Sequence, residues 1–445
     1  MNYRPYENYK NSGLKWADKI PKHWDIDKAK YIFKKMDRPV RDVDDVVTAF
    51  RDGEVTLRKN RRTDGFTFSI KEIGYQGVRK GDLVIHEMDG FAGAIGVSDS
   101  DGKCSPIYSI CKPIFHANVH YYAYMIREMA HNGFILSLAK GIRERSTDFR
   151  FHVFRELTLP IPPTSEQHII ASFLNLRLFE IDSLIKKYEK LIEILNEKRI
   201  ALISHYVTKG LNPDIKMKNS GIEWIGEIPE DWDVNKLKYS IKRLISGGTP
   251  NSGDSSNWTN DNGIPWVSIA DMTEQPIIRY TKKQITKKGF NEKNLKILPK
   301  GTILYSIFAS LGKVAELAID ATTNQAIVGI IYDENKLNKD FLKYWLNFIE
   351  RNIKLLASSN TQDNLNANKV LNMPIMMLSL QEQVKISSFL DKKTDKIDNL
   401  TNKIQNQIEL LKEFKISLIS NAVTGKIDLR EINIDKNIQK SSMKS

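Results

Sequence analysis

A 24-residue stretch near the start of the chain returns in its middle. Asn11-Ser12-Gly13-Leu14-Lys15-Trp16, continuing through Ile20-Pro21 and Trp24-Asp25 to Lys34, recurs as Asn219-Ser220-Gly221-Ile222-Glu223-Trp224, then Ile228-Pro229 and Trp232-Asp233 to Lys242. Twelve of the 24 ungapped positions are identical, two of them tryptophan, at an offset of 208. A second pair closes each half at an offset of 216: Glu166-Gln167, Ser172-Phe173-Leu174, Ile181-Asp182 and Leu202-Ile203-Ser204 recur as Glu382-Gln383, Ser388-Phe389-Leu390, Ile397-Asp398 and Leu418-Ile419-Ser420. Units this long are not solenoid repeats. They predict two similar domains in tandem, so the function is expected to be something done twice.

Between the repeated ends each half holds a mixed α/β body. Short apolar runs bounded by Gly and Asp read as strands: residues 81–86 and 94–97 in the first body, 301–306 and 313–315 in the second. Each body then offers a helix, at residues 119–132 and 339–356. Proline marks the exit, as Leu159-Pro160-Ile161-Pro162-Pro163 and Met373-Pro374-Ile375, where it is expected to break regular structure before a new helix begins. Thr164 or Ser165, with Glu166 and Gln167 behind it, offers capping chemistry for that helix.

The long helix carries apolar residues at Leu174, Leu178, Ile181, Ile185, Tyr188, Ile192 and Leu195, spaced 4-3-4-3-4-3. That is a coiled-coil seam. The second copy keeps the frame with Leu390, Thr394, Ile397, Thr401, Ile404, Ile408 and Leu411, and has Lys415 where the first has Arg199. A helix over residues 166–208 would be a rod of roughly 60 Å at about 1.5 Å per residue. Such a rod needs a partner helix, and the other copy is the nearest one. Antiparallel pairing would relate the halves by a pseudo-twofold axis and make the rods a ruler between two recognition bodies. The predicted segments are residues 1–160 and 216–375 for the bodies, 161–215 and 376–430 for the helices, and 431–445 for a polar tail.

Composition narrows the partner. With 67 Lys and Arg against 54 acids, the net charge is +13 and the sequence pI about 9.3, which favours a polyanion. The charge is local: residues 279–300 hold Arg279, Lys282, Lys283, Lys287, Lys288, Lys293, Lys296 and Lys300 against the single acid Glu292, and Arg58-Lys59-Asn60-Arg61-Arg62 is the smaller counterpart. Two cysteines, Cys104 and Cys111, fit neither a disulfide scaffold nor a four-ligand zinc site. The opening residues lack a signal-peptide core and no 18-residue apolar stretch occurs, so a cytoplasmic protein without a membrane partner is expected.

Enzyme motifs are missing. Residues 96–104 fail the phosphate-loop pattern, because five residues separate Gly96 from Gly102-Lys103 and Cys104 stands where Ser or Thr is required. Gly90, Gly93 and Gly96 do not make a dinucleotide fingerprint, and no Asn-Pro-Pro-Tyr or Asp-Pro-Pro-Tyr motif of an amino methyltransferase is present. His116 and His120 have the spacing of two helical metal ligands but no third, so no metal is expected. The chain reads as a non-catalytic subunit.

The residues together resemble the specificity subunits of type I restriction-modification systems over nearly the whole chain. The resemblance rests on residues 13–24 and 221–232, on Ser246-Gly247-Gly248-Thr249-Pro250 with Ile264-Pro265-Trp266-Val267, and on Gly301-Thr302-Ile303-Leu304 with Ala309-Ser310-Leu311-Gly312-Lys313. Thr323-Asn324-Gln325-Ala326 and the Glu-Gln helix starts complete it. It implies an α/β protein in which two target-recognition domains are separated by two long antiparallel coiled-coil helices, each domain reading one half of a split, asymmetric target in double-stranded DNA. It also implies two modification (methyltransferase) subunits docked on the helices and separate restriction subunits. S-adenosylmethionine, ATP and Mg²⁺ then belong to those partners, with no cofactor on this chain. The first body lacks the Gly-Gly-Thr-Pro and Asn-Gln-Ala motifs, so the two domains are expected to read different sequences.

Two kinds of DNA contact are expected. Phosphate anchors are assigned to Lys59, Arg61, Arg62, Lys282, Lys283, Lys287 and Lys288. Base readers are assigned to Arg143, Arg145 and Arg150 in the first half and Thr361, Gln362 and Asn364 in the second, with Thr249, Ser310, Asn324 and Gln325 in the family-like loops. Asn and Thr in such loops also serve simply to satisfy turns. Two other readings remain open: a specificity subunit of another restriction family, whose partner fuses methyltransferase and nuclease, and a coiled-coil DNA scaffold without sequence preference.

Overall fold

The structure is a computed structural model that describes residues 3–61, 73–138, 149–308, 310–356 and 365–432. The chain divides into two compact units, of which only one is a continuous stretch. One comprises residues 1–189 with 405–445, the other residues 190–404. Both boundaries fall inside long helices, Thr164–Lys209 of 46 residues and Leu380–Val423 of 44. Each unit therefore contains half of one long helix and half of the other.

In unit 1 the two halves run antiparallel. The first residues of Thr164–Lys209 meet Tyr6 and Trp24, the residues just after Leu380–Val423 also reach Tyr6, and further along Asp182 accepts from Lys415 Nζ at 2.7 and 2.8 Å. Leu174, Leu178 and Ile181 lie in one buried cluster with Leu418, Ile419 and Ala422. Unit 2 repeats the arrangement: Gly210, just past one helix, and Glu382, at the start of the other, approach Trp232, and Arg199 donates to Asp398 at 3.1 Å. The predicted seam is real in both copies. Its residues are buried or half-buried from Leu174 to Leu195 and from Leu390 to Leu411, while most flanking positions are exposed. The two ion pairs are the same pair twice, because Asp182 and Asp398, like Arg199 and Lys415, are related by the 216-residue offset.

The body of unit 1 is built on a four-stranded antiparallel sheet in the order Phe33–Lys35, Tyr108–Pro113, Leu83–His86, Ile95–Val97. The helix Val119–His131 covers it, burying Tyr121, Tyr122, Met125, Ile126 and Met129 against Leu83, Ile85 and Ile95. Unit 2 has a larger five-stranded sheet, ordered Ile241–Ser246, Ile327–Tyr332, Ile303–Ser306, Val314–Leu317, Ile277–Ile278, in which only the last pairing is parallel. A second sheet follows, ordered Trp258–Thr259, Lys283–Ile285, Ile264–Val267, Thr322–Thr323. The helix Lys339–Leu356 buries Phe341, Leu342, Trp345 and Leu346 in the core of this unit.

The Glu-Gln pair at each helix start does something other than capping. Thr164 and Ser165 lie inside the helix, and the Thr164 hydroxyl donates to the His116 carbonyl. Gln167 accepts from the backbone N–H of Asn118 at 2.9 Å and donates to the Pro162 carbonyl at 2.8 Å. Asn118 in turn caps Val119–His131 by accepting from Tyr121 N. Gln383 holds Asn338 N at 2.7 Å and donates to Leu378 and Lys336 carbonyls, and Asn338 accepts from Phe341 N. One buried amide thus fastens each long helix to the capped end of its body helix. Glu166 adds a hub in unit 1, accepting from Tyr6 Oη at 2.9 Å and Trp24 Nε1 at 3.0 Å, with His23 Nε2 2.6 Å away. Burial, then the Glu166 charge, pushes the Tyr6 phenol well above its ordinary range.

Other expectations need amendment. Of the exit prolines, Pro162 and Pro163 fall between strand and long helix as expected, but Pro160 and Pro374 sit in the strands Thr158–Ile161 and Pro374–Met377, each paired in a two-stranded ribbon with Asp25–Lys28 or Asp233–Lys236. Such ribbons leave edges where a missing N–H is tolerated. His116 precedes the helix that carries His120, and among the described residues no group of three or more His, Cys, Asp or Glu is placed to hold a metal. Cys104 and Cys111 are buried, and burial pushes the Cys104 thiol up to about 12, so both are small core residues. No helix of the described residues is long and apolar enough to cross a membrane.

Replacing Gln383 with Leu keeps the volume but leaves the Asn338 N–H and two carbonyls without their partner. Unsatisfied buried groups cost about 1–3 kcal/mol each, so the variant is expected to lose at least about 2 kcal/mol in urea unfolding followed by tryptophan fluorescence. Wild-type stability would show that this amide does not fasten the helix.

Candidate nucleic-acid interface

In unit 2 the motifs carrying the resemblance converge. Ile241–Ser246 delivers Gly247, Gly248 and Thr249 to the loop that follows Thr322–Thr323. Gly248 N donates to the Thr323 carbonyl at 2.9 Å and Asn324 N to Val267 at 3.0 Å. Trp266 Nε1 donates to the Gly248 carbonyl at 2.9 Å. Glycine is required by proximity: a Cβ on Gly247 would lie 2.2 Å from the Asn324 carbonyl oxygen. The Thr249 hydroxyl bonds the Gln325 side-chain oxygen. Gln325 is exposed and so presents an oriented amide, the group that pairs with an adenine edge.

Asn324 and Ser310 are used differently. The Asn324 side chain accepts from Ala326 N at 3.0 Å, closing its own turn, and the Ser310 carbonyl accepts from the Ser306 hydroxyl. They shape loops. The structure joins Thr249 to Gln325 by a direct bond, with Asn324 beside Gln325 in the chain.

The basic segment of unit 2 separates into committed and uncommitted cations. Lys282 Nζ bonds Glu274, and Lys288 Nζ donates to Asp254 at 2.8 Å and Ser256 Oγ at 2.6 Å. The bond from Lys288, then those from Ser256, hold the Asp254 carboxyl at about 2. Lys283 lies over the Trp258 ring, 5.4 Å from its centre. Among the described residues neither Lys283 nor Lys287 has a carboxylate partner.

Unit 1 shows the same division. The hairpin Val47–Ala49/Val55–Leu57 leads into the turn Arg58–Asn60, whose central Lys59 meets Asp45 through Nζ at 2.5 Å. The Arg61 guanidinium bonds Asp52 and Glu54 and stacks 4.3 Å from the centre of the Phe50 ring. Arg150, exposed at the start of the helix Phe151–Phe154, has its Nε 3.9 Å from Glu87. Exposed ion pairs contribute about 0–1 kcal/mol, and a phosphate drawn to Lys59 or Lys288 would first have to displace Asp45 or Asp254, a cost that Lys283 and Lys287 do not carry. Arg62, Arg143, Arg145, Thr361, Gln362 and Asn364 lie outside the described residues.

Sequence reasoning missed Trp258. It stands edge-on to Trp266, ring centres 5.1 Å apart at 89°, beneath Lys283. An aromatic amid Ser, Asn and Thr, one strand away from a lysine run, was the available signal.

Comparison with known proteins agrees with this geometry. Residues 229–410 match the type I restriction modification DNA specificity domain. The protein named as the MjaX type I restriction enzyme specificity subunit of Methanocaldococcus jannaschii is 24% identical over 465 positions, covering 97% of this chain and 99% of that one. The MjaVIII specificity subunit of the same organism is 26% identical, covering 67% and 68%. The HsdS subunit from Thermoanaerobacter tengcongensis shares the fold at TM-score 0.56 and 15% identity, over 94% of this chain and 100% of that one. A chain from a structure of type I R-M system assembly and conformational transition reaches TM-score 0.70 at 15% identity, over 92% and 99%. Along nearly its whole length the chain is thus similar to proteins named as type I restriction enzyme specificity subunits, and residues 229–410 match the DNA specificity domain of that family.

Asp254 provides a pH test. Its carboxyl is held below its ordinary value, so the Lys288 pair is fully formed above about pH 4 and is lost as pH falls through about 2. NMR titration of Lys288→Ala is expected to return Asp254 toward 3.8. An unchanged midpoint would contradict the pairing.

Proposed function

We propose that this chain reads a bipartite, asymmetric sequence in double-stranded DNA, one half with each unit, and delivers two modification subunits and the restriction subunits to it. One observation carries the reading: the same frame occurs twice around two different bodies. The hairpin after Asn11 or Asn219, the Gln–Asn lock and the paired half-helices are shared. The sheets they hold are four-stranded in one unit and five-stranded in the other. A shared frame suits identical partners, and different bodies suit different half-sites.

The helices also offer surface for docking. Leu184 and Leu400, and Ile194 and Leu410, are related by the 216-residue offset, and all four are exposed, by 38, 45, 47 and 55%. Apolar side chains left in water at equivalent places on two frames mark a surface for two copies of one partner. S-adenosylmethionine, ATP and Mg²⁺ enter with those partner subunits, and the chain works where DNA is, in the cytoplasm.

Gln325→Ala is expected to weaken recognition at a single position of one half-site by about 1–3 kcal/mol and to leave the other half-site unchanged, read as methylation rates on matched duplexes. Equal loss on every sequence would remove Gln325 from base reading. A spacer-measuring role for the long helices is supported by their length, about 70 Å for the 46-residue one at about 1.5 Å per residue. Inserting one heptad in each is expected to lengthen the spacer between half-sites or abolish methylation. An unchanged spacer would refute that role.

A further inference from the structure

The second sheet of unit 2 carries a small open cleft that no family-like loop accounts for. Its volume is about 220 Å³, and Ser252, Trp258, Thr259, Asn260, Lys283 and Gln284 line it. None of the six is acidic. Strand pairing explains the grouping: Thr259 lies opposite Gln284, and Trp266 opposite Lys283. Trp258 lies opposite Ile285, two residues on, and the Lys283 ammonium lies over the Trp258 ring, 5.4 Å from its centre, with the Trp266 ring perpendicular to it.

The polar groups of the cleft divide by whether the fold uses them. Thr259 Oγ1 donates to the Asp261 carbonyl, and the Gln284 side-chain oxygen accepts from Gly263 N. The side chains of Ser252 and Asn260 have no hydrogen-bond partner among the described residues, and Asn260 is exposed. The Trp258 face orients the Lys283 ammonium without neutralising it, since the ring is attractive but carries no net charge. A single positive charge flanked by an unused hydroxyl and an unused amide suits one singly charged anion with several acceptor oxygens.

We propose that this cleft seats one backbone phosphate of the DNA strand beside the half-site read by unit 2. Lys283 supplies the charge, Ser252 and Asn260 the hydrogen bonds, and Trp258 holds the ammonium in place. This rests on the DNA-reading function above and sharpens it. Of the four lysines at 282, 283, 287 and 288, Lys283 becomes the built anchor, while Lys282 and Lys288 are already paired with Glu274 and Asp254. A phosphate contact fixes position and carries no sequence information.

The test is the salt dependence of DNA affinity for the complex of this chain with its modification partner, on a duplex carrying its methylated target. Each phosphate neutralised on B-DNA contributes about 0.9 to the slope of log K against log salt concentration. Lys283→Gln is expected to lower that slope by about 0.9 with the methylated sequence unchanged, and Lys283→Arg to keep it. Lys282→Gln and Lys288→Gln are expected to retain the wild-type slope even where they lower the melting temperature. A wild-type slope in Lys283→Gln overturns the assignment, as does an altered target sequence, which would make Lys283 a base reader. A wild-type complex with no salt-dependent affinity for DNA overturns the DNA reading itself.

Discussion

A helix of more than forty residues with an apolar stripe on one side has no core of its own, and everything else in this molecule depends on how that stripe is covered. Here half of one long helix covers half of the other inside each compact unit. A chain that starts in one unit must therefore return to complete it. The end of the second long helix and the turn after it do so through Tyr121 and Tyr9 in unit 1, which donate to the Val423 and Gly425 carbonyls. Asp182–Lys415 and Arg199–Asp398 place one opposite-charge pair on each seam. Such partly exposed pairs contribute little to stability, but a shifted register would separate the Asp182–Lys415 partners, so they favour this one.

The frame reaches the bodies through a few buried polar groups. Gln167 and Gln383 each bind the residue that caps a body helix, so the direction of the long helix and the start of the body helix are set by one side chain. Buried amides of this kind are costly when unpaired, which gives the junction a single geometry. Beyond that junction the bodies diverge. Unit 2 gathers its glycine-rich turn against the Thr323-Asn324-Gln325 loop at a distance that excludes any Cβ on Gly247. The exposed Gln325 amide thereby stands on a rigid corner.

Much of this was legible in the sequence. The helix limits, the seam positions and the body helices follow from periodicity, because apolar spacing of 3.5 is imposed by burial along the whole length. The strands at residues 83–86, 95–97 and 303–306 were marked by apolar runs between turn residues. What sequence could not supply were contacts between segments far apart in the chain. Glu166 and Gln167 looked like caps because capping is local, whereas their partners are Tyr6, Trp24 and Asn118. Likewise a lysine run shows net charge but not which lysines already have acids: Glu274 and Asp254 take Lys282 and Lys288, and Trp258 takes Lys283. Pro162 and Pro163 do stand at the break before the long helix, but Pro160 and Pro374 lie in paired strands, since an edge strand has an N–H to spare.

The central claim is that one frame, used twice, presents two different readers to a split DNA site. Methylome sequencing of a host carrying this chain and its modification partner tests it most directly. The account predicts one methylated motif made of two unlike half-sites with a spacer of fixed length. A contiguous motif, two identical half-sites, or methylation without a fixed sequence would contradict it.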